Sequence, residues 1–459
     1  MEIDKLLIDK YNVPVPRYTS YPPANHFEQT FTDEDYFRLI AESNSGHPEN
    51  VAIYIHIPFC KKICFYCGCN TALYKGESLV ADYIAALKKE IGLVSKHIDK
   101  RRKVSQIHYG GGTPNAIDVA YLEQINQLLF DLFEFIPKPE IAIECHPGHL
   151  NELYLRRLLN AGFNRFSLGI QDFDNEVLAT VNRDPSAMRV GDIINILKQD
   201  QPDVSVNFDF IYGLPGQTVE RFRQTIEQAV ALRPDRLVTF SYAHVPWVKK
   251  HQKILEKKGL KTSTEKIDLF LNSREILLQA GYEPIGLDHY VLPEDELNQA
   301  LLSNQLHRNF QGYCTRRTTG QVYAFGVSSI SQLENAYLQN EKDTIEYIRL
   351  IKEGKTAVKN GLEVNAAQKI IRGVIEKIMC NKELDLNRFC EEYEVNMDQF
   401  HLITQFDSIG LNDFISDGLV RFENNILTIT DAGSFFIRNI AASFDPALKQ
   451  KEKQYSKSV

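Results

Sequence analysis

The chain has 459 residues, 43% hydrophobic and 24% charged, with a formal net charge of −8 at pH 7. That is an ordinary globular mixture, long enough for two or three domains, and its acidic balance argues against nucleic acid or an anionic membrane surface as the main partner. No run of 18 apolar residues occurs, and the first twenty residues lack a secretory leader's basic start and apolar stretch, so a cytoplasmic protein with no membrane partner is expected.

Residues 1–48 read as an N-terminal extension. From Val51 a strand–loop–helix rhythm begins. VAIYIHIP (Val51 to Pro58) reads as a buried strand followed by a cysteine-rich loop. A helix follows, with Val80, Ile84, Leu87, Ile91 and Val94 at three- and four-residue spacing. SQIHYGGG from Ser105 is a second strand ending in glycines, and the next helix carries Leu122, Ile125, Leu128, Leu129 and Leu132. Further strands are expected at Ile141 to Cys145, Arg165 to Gln171, Val206 to Gly213, Arg236 to His244 and Glu283 to Tyr290. Thr218 is placed to cap a helix carrying Phe222, Ile226 and Val230.

Such alternation predicts a parallel sheet. About six units between Val51 and Tyr290 suit a full or partial β/α barrel, with a doubly wound sheet as the alternative. Polar residues mark the C-terminal ends of the strands: the cysteine loop, Gly110 to Thr113, Glu144, Gln171, Asp209 and His244. In parallel β/α folds that edge carries the active site. Residues 49–300 are read as the core and 301–362 as a connecting, substrate-contacting segment. Residues 363–459 are read as a mostly helical C-terminal domain, with helices followed by a hairpin at Asn424–Asn425. That pattern resembles a winged helix. Between Arg372 and Arg438, however, twelve acidic residues face six Lys and Arg, which suits a lid or packing domain better than a DNA-binding one.

Four of the eight cysteines fall within ten residues. Cys60, Cys64 and Cys67 have the spacing C-x3-C-x2-C, and Cys69 follows after one residue. Thiolates favour zinc or iron–sulfur clusters. A structural zinc site wants four ligands, usually as two separated pairs. Three thiolates on a [4Fe–4S] cube instead leave one iron open, whereas electron-transfer clusters fill all four positions. A zinc knuckle or a set of free thiols is the alternative.

These residues carry a resemblance to the radical S-adenosylmethionine (SAM) superfamily, and more narrowly to the oxygen-independent coproporphyrinogen III oxidases. The matching strings are PRYTSYP at Pro16, YIHIPFC-x3-C-x2-C-x-C from Tyr54 to Cys69, HYGGGTP at His108 and GFNRFSLGIQDF at Gly162. VNR at Val181, DFIYGLPGQT at Asp209, YAH at Tyr242, HRNFQGY at His307 and GVSSIS at Gly326 continue them in order. The resemblance implies one [4Fe–4S] cluster on Cys60, Cys64 and Cys67 and two SAM molecules. It also implies a 5′-deoxyadenosyl radical that abstracts hydrogen from a propionate. Two such rounds, each losing CO2 and one electron, would turn coproporphyrinogen III into protoporphyrinogen IX.

By the same resemblance, Tyr54, Gly111, Glu144 and Ile330 would contact the cluster-bound SAM. Tyr66, Gly112, Thr113, Gln171, Arg183, Asp209 and Ala243 would contact the second. Asp209 sits in an apolar run, so it needs a partner: a cationic cofactor group, Arg183 or a backbone turn. Cys69 is expected to border the second SAM rather than ligate iron. Because the substrate has four carboxylates, Arg17 and Arg308 are candidates to hold it, with Gln311 beside them. Arg316 and Arg317 follow in a less family-like stretch. His146, where relatives commonly have an acidic residue, departs from the pattern, and Cys145 and Cys314 read as buried inert thiols.

Competing readings are a haem-binding or haem-delivery protein on the same fold, and a haem-degrading radical enzyme. PRYTSYP, HRNFQGY and the fourth cysteine argue against them. An unidentified electron donor and acceptor are implied, and a monomer is expected.

Overall fold

The computed structural model describes residues 5–47, 49–315, 320–450 and 455–457. Arg316 and Arg317 lie outside the described residues. Seven strands run parallel: β1 (Val51–Ile57), β2 (Val104–Gly111), β3 (Phe135–Cys145), β4 (Arg165–Gln171), β5 (Ser205–Tyr212), β6 (Arg236–Ser241) and β7 (Val322–Phe325). Their order across the sheet is β7-β1-β2-β3-β4-β5-β6. The sheet continues past β7 through Ile330–Gln332, Ala336–Asn340, Val358–Glu363 and Gln29–Thr30, all antiparallel. Past β6 it ends in an antiparallel hairpin, His289–Val291 and Glu283–Ile285.

The strand order is linear, so the barrel is partial and open. It still curls, because Tyr54 of β1 and Phe240 of β6 line one cavity. Two expectations need correction. Glu283 to Tyr290 is not a parallel strand: Gly286, at φ +60°, turns the chain back on itself. The seventh parallel strand comes instead from Val322–Phe325, inside the segment expected to be connecting. Residues 301–362 thus supply four strands of the main sheet.

Strand alternation sets the two faces. Ile53, Ile55, Ile107, Tyr109, Phe166, Leu168, Val206 and Phe208 are buried against the outer helices. Those helices include Glu77–Val94, Val119–Leu132 and Val219–Ala231, the last capped by Thr218. Residues between them in sequence (Tyr54, His108, Glu144, Ser167, Asp209) face the barrel interior. A polar interior facing an apolar helix layer is a barrel pattern, not a doubly wound sheet buried on both faces.

The C-terminal region packs helices Ala366–Asn381, Leu386–Glu392 and Met397–Thr404 with a three-stranded sheet. Its hairpin turns at Asn424 and Asn425, both at positive φ, as an Asn-Asn turn of the primed type requires. Tyr11, Tyr18 and Tyr21 of the N-terminal segment join this domain's core, and Tyr18 and Tyr21 donate to Asp445. The segment is clamped there, and it carries Arg17 into the barrel mouth.

Candidate active site

The cysteine loop leaves β1 and is fastened at several points. Gly112 N donates to Ile57 O at 2.8 Å and Thr113 N to Phe59 O at 3.0 Å, so the glycine turn after β2 holds the loop's start. Its middle is tied to residues 181–182, through Phe65 N to Val181 O and Asn182 Nδ2 to Ile63 O. Its end is held from outside: Gln252 donates to Tyr66 O, His251 to Cys67 O and Lys249 to Cys69 O.

Cys60, Cys64 and Cys67 are free thiols lining one cavity of about 740 Å³. Burial pushes the Cys60 thiol up to about 11, so this thiol ionises by binding metal rather than on its own. Thr113 Oγ1 is 3.3 Å from Cys60 Sγ, and Arg183 Nη1 is 3.7 Å from Cys64 Sγ. A hydrogen bond from Cys69 holds Cys67 low. Cys69 is thus a neighbour of the third thiol. It lines the cysteine cavity and both larger ones, of about 1740 and 1320 Å³, that continue from it.

The strand ends close over the same space. Gly111 has φ +117°, and a Cβ there would stand 2.7 Å from the His56 ring. Gly110 has the Glu144 carboxylate 2.8 Å from where its Cβ would be. Gly112, Thr113, Gln171, Arg183 and Asp209 line the cysteine cavity, as does Tyr66. Tyr54 and Ile330 line the 1740 Å³ cavity and Ala243 the 1320 Å³ one; Glu144 lines all three. Gln171 holds φ +70° at the end of β4, strained backbone for a residue with a side chain.

Asp209 pairs with neither Arg183 nor a turn. It accepts from Ser167 Oγ at 2.6 Å and Asn207 Nδ2 at 2.8 Å, and burial raises its pKa. Arg183 instead donates to Tyr66 Oη at 3.1 Å and to Gly169 O. Gln171 Oε1, Arg183 Nε and Asn207 Oδ1 are buried without a hydrogen-bond partner in the protein. Buried polar atoms normally find partners, so these point to a polar ligand.

Arg17, Arg308 and Gln311 stand at the other end of the 1740 Å³ cavity. Arg308 Nη1 donates to Arg17 O at 2.9 Å, and its guanidinium lies 5.0 Å from the Tyr313 ring centre. Burial lowers the pKa of Arg17; Asp288 opposes that and Arg308 adds to it.

Four site residues, His56, His108, Asp288 and His289, went unnoticed in the sequence. His56 bonds Tyr54 Oη through Nδ1 and Asn70 O through Nε2, and burial pushes it down to about 4, so it is neutral. His108 donates to Glu144 Oε1 at 2.9 Å. His56 lies two residues from inward-facing Tyr54 and His108 is itself an inward-facing position of β2, so the alternation of β1 and β2 carried the signal. Asp288 and His289, 2.7 Å apart, sat in a segment read as one strand. His146 accepts from Gly148 N and lines the cysteine cavity. Cys145 and Cys314 are buried, and Cys145 lies on that cavity's wall.

A radical SAM superfamily domain matches residues 54–229. The oxygen-independent coproporphyrinogen III oxidase of Synechocystis is 37% identical, over 99% of this chain and 97% of its own. The chain belongs to the oxygen-independent coproporphyrinogen III oxidase family. The corresponding Escherichia coli K12 protein is 36% identical over 99% of this chain and 98% of its own. A solved coproporphyrinogen III oxidase from Escherichia coli, described as a radical SAM enzyme, is 34% identical. Its TM-score is 0.88, with 97% of this chain and 99% of that one covered.

Membership implies a [4Fe–4S] cluster and SAM, and the residues present fit both. Among the described residues no three Cys, His, Asp or Glu side chains are grouped as a single metal ion would need. In a cube each thiolate takes its own iron corner, and three thiols spread around one cavity suit that. Space is kept for it: a Cβ on Gly112 would overlap Pro58 O and press to 3.0 Å from Cys60 Sγ. The unpartnered atoms on Gln171, Arg183 and Asn207 would be free to make polar contacts with the organic cofactor.

Proposed function

We propose that this chain converts two propionate side chains of coproporphyrinogen III to vinyl groups without oxygen, giving protoporphyrinogen IX in haem biosynthesis. One observation carries the reading. A continuous interior has Cys60, Cys64 and Cys67 at one end and Arg17, Arg308 and Gln311 at the other, joined through Cys69 and Glu144.

Cys60, Cys64 and Cys67 would hold the cluster. The cluster and SAM, when bound, supply the one-electron cleavage of the sulfonium and the removal of a hydrogen atom from the propionate. The protein's share is binding, orientation and exclusion of water. Tyr54, Gly111, Glu144 and Ile330 would position the SAM at the cluster, with His108 orienting Glu144 and neutral His56 orienting Tyr54. Tyr66, Gly112, Thr113, Gln171, Arg183, Asp209 and Ala243 would enclose a second SAM. The Asp209 carboxylate, already holding two donors, offers a negative partner to a cationic sulfonium or ammonium group. Arg17 and Arg308 would grip substrate carboxylates.

Each conversion balances as loss of one hydrogen atom, one CO2 and one electron from the side chain. An electron donor therefore primes the reaction, and an acceptor takes the last electron. No helix among the described residues is long and apolar enough to cross a membrane, which supports a cytoplasmic location, and a monomer would present the whole site.

The test is anaerobic reconstitution with iron and sulfide, then addition of SAM, a low-potential reductant and coproporphyrinogen III. Protoporphyrinogen IX and 5′-deoxyadenosine are expected. Deoxyadenosine without vinyl product would overturn the substrate, and no deoxyadenosine would overturn the chemistry.

A further inference from the structure

Arg17 and Arg308 face more than the catalytic cavity. They also line an adjoining cavity of about 930 Å³, bounded by β5, β6, helix Ser263–Gln279 and the C-terminal domain. Three further cations reach it from distant parts of the chain. Arg274 comes from that helix, Lys382 from the residue after helix Ala366–Asn381, and Arg438 from the helix Ile437–Ala442.

Among the described lining residues, five cations meet one carboxylate, Asp288, which is already engaged by His289. Arg17, Arg274, Arg308 and Lys382 have no carboxylate within ion-pair distance among the described residues. Arg308 Nε is buried with no partner. Arg438 donates to the backbone oxygens of Val15, Pro16 and Lys457, which fixes it in place. Burial, reinforced by Arg17 and Arg308, lowers Arg438 to about 9. Burial also lowers Lys382, with Asp431 opposing and Arg274 adding.

Like charges crowded around one cavity, with Arg438 buried and Arg274, Arg308 and Lys382 half-buried, are costly unless an anion joins them. The remaining walls include Phe240, Phe270, Leu287 and Phe435, which suit an apolar body bearing acid groups. Phe240, Asp288 and His289 are shared with the catalytic cavity, so one ligand can occupy both.

We propose that this basic cavity is the receptor for the substrate carboxylates that are not reacting, with Arg274, Lys382 and Arg438 binding them beside Arg17 and Arg308. The inference rests on the reading of the substrate as coproporphyrinogen III. Two of that molecule's four carboxylates survive both rounds. A receptor across the Phe240 wall from Cys69 and Glu144 holds these arms while another arm reaches the cofactor end. Guanidinium groups suit the task because each grips a carboxylate through two parallel hydrogen bonds.

The test is equilibrium dialysis of coproporphyrin III, the oxidised analogue with the same four carboxylates, against the reconstituted full-length protein. Arg274→Gln and Lys382→Gln are each expected to raise Kd about tenfold, as loss of one charged hydrogen-bonding partner does. Arg274→Lys should recover part of the loss, and the surface control Lys88→Gln should match wild type. Iron content, measured in parallel, reports folding, and whichever of the two Gln variants retains it decides the matter. Unchanged Kd in such a variant, or no binding of coproporphyrin III by wild type, would overturn the receptor. The functional reading fails separately, when wild type leaves coproporphyrinogen III unconverted.

Discussion

Replacing Glu90 with Gln removes a titration that the fold makes costly. Glu90 lies on helix Glu77–Val94 and is buried. Its carboxylate accepts from Gly326 N at 2.8 Å, Tyr347 Oη at 2.6 Å and Asn340 Nδ2 at 2.7 Å. Those bonds hold the turn that leads into Ile330. Burial outweighs the three donors and pushes Glu90 from 4.5 to about 7. At about 1.4 kcal/mol per pH unit, that is worth about 3 kcal/mol.

The sign follows from proton uptake. Below pH 4.5 the carboxyl is neutral in both the folded and the unfolded chain, and there is no penalty. As pH rises toward about 7 the folded chain keeps a proton that the unfolded chain has lost, so stability declines; above about 7 the loss is complete. For a unit of this size 1 kcal/mol moves the thermal midpoint by about 2 °C, so Glu90 accounts for a fall of about 6 °C at most between pH 5 and pH 8. Gln at this position has a fixed cost, because its amide N–H faces donors, but no slope. Thermal midpoints of both proteins across that range are the assay. A constant offset between wild type and Glu90→Gln at every pH would refute the reasoning.

Three further substitutions probe the site. Gly112→Ala places a methyl group against Pro58 O and Cys60 Sγ; most of the cluster should be lost, seen as iron content and visible absorbance, and full cluster content would contradict the cradle. Cys69→Ser should keep the cluster but impair turnover, and loss of iron–sulfur absorbance would instead make Cys69 a ligand. Arg308→Ala removes the proposed carboxylate grip and frees the Arg17 backbone; the coproporphyrinogen III requirement should rise about tenfold with the cluster intact, and an unchanged requirement would remove Arg308 from the substrate site.

Much of this was legible in the sequence where local pattern decides structure. Arg165 to Gln171 forms the expected strand, and Thr218 caps the expected helix. The Asn424–Asn425 hairpin also forms. Glu283 to Tyr290 misled because alternation alone does not reveal strand direction, and Gly286 reverses the chain inside the run. Val322–Phe325 is only four residues long, too short to announce that it would pair with β1. The cysteine spacing named the metal chemistry because it is local. Arg274, Lys382 and Arg438 could not be grouped in the same way. Each is an ordinary lone cation in its own segment, and only the packing of the C-terminal domain on the barrel mouth brings them to one cavity.

The central claim is that a propionate C–H bond is broken in the space joining the three cysteines to the arginine end. Coproporphyrinogen III deuterated at the propionate carbon next to the pyrrole tests it most directly, with reconstituted enzyme and mass analysis of the 5′-deoxyadenosine formed. One deuterium per vinyl group, carried in the deoxyadenosine, is the predicted result. Vinyl product accompanied by unlabelled deoxyadenosine would contradict it.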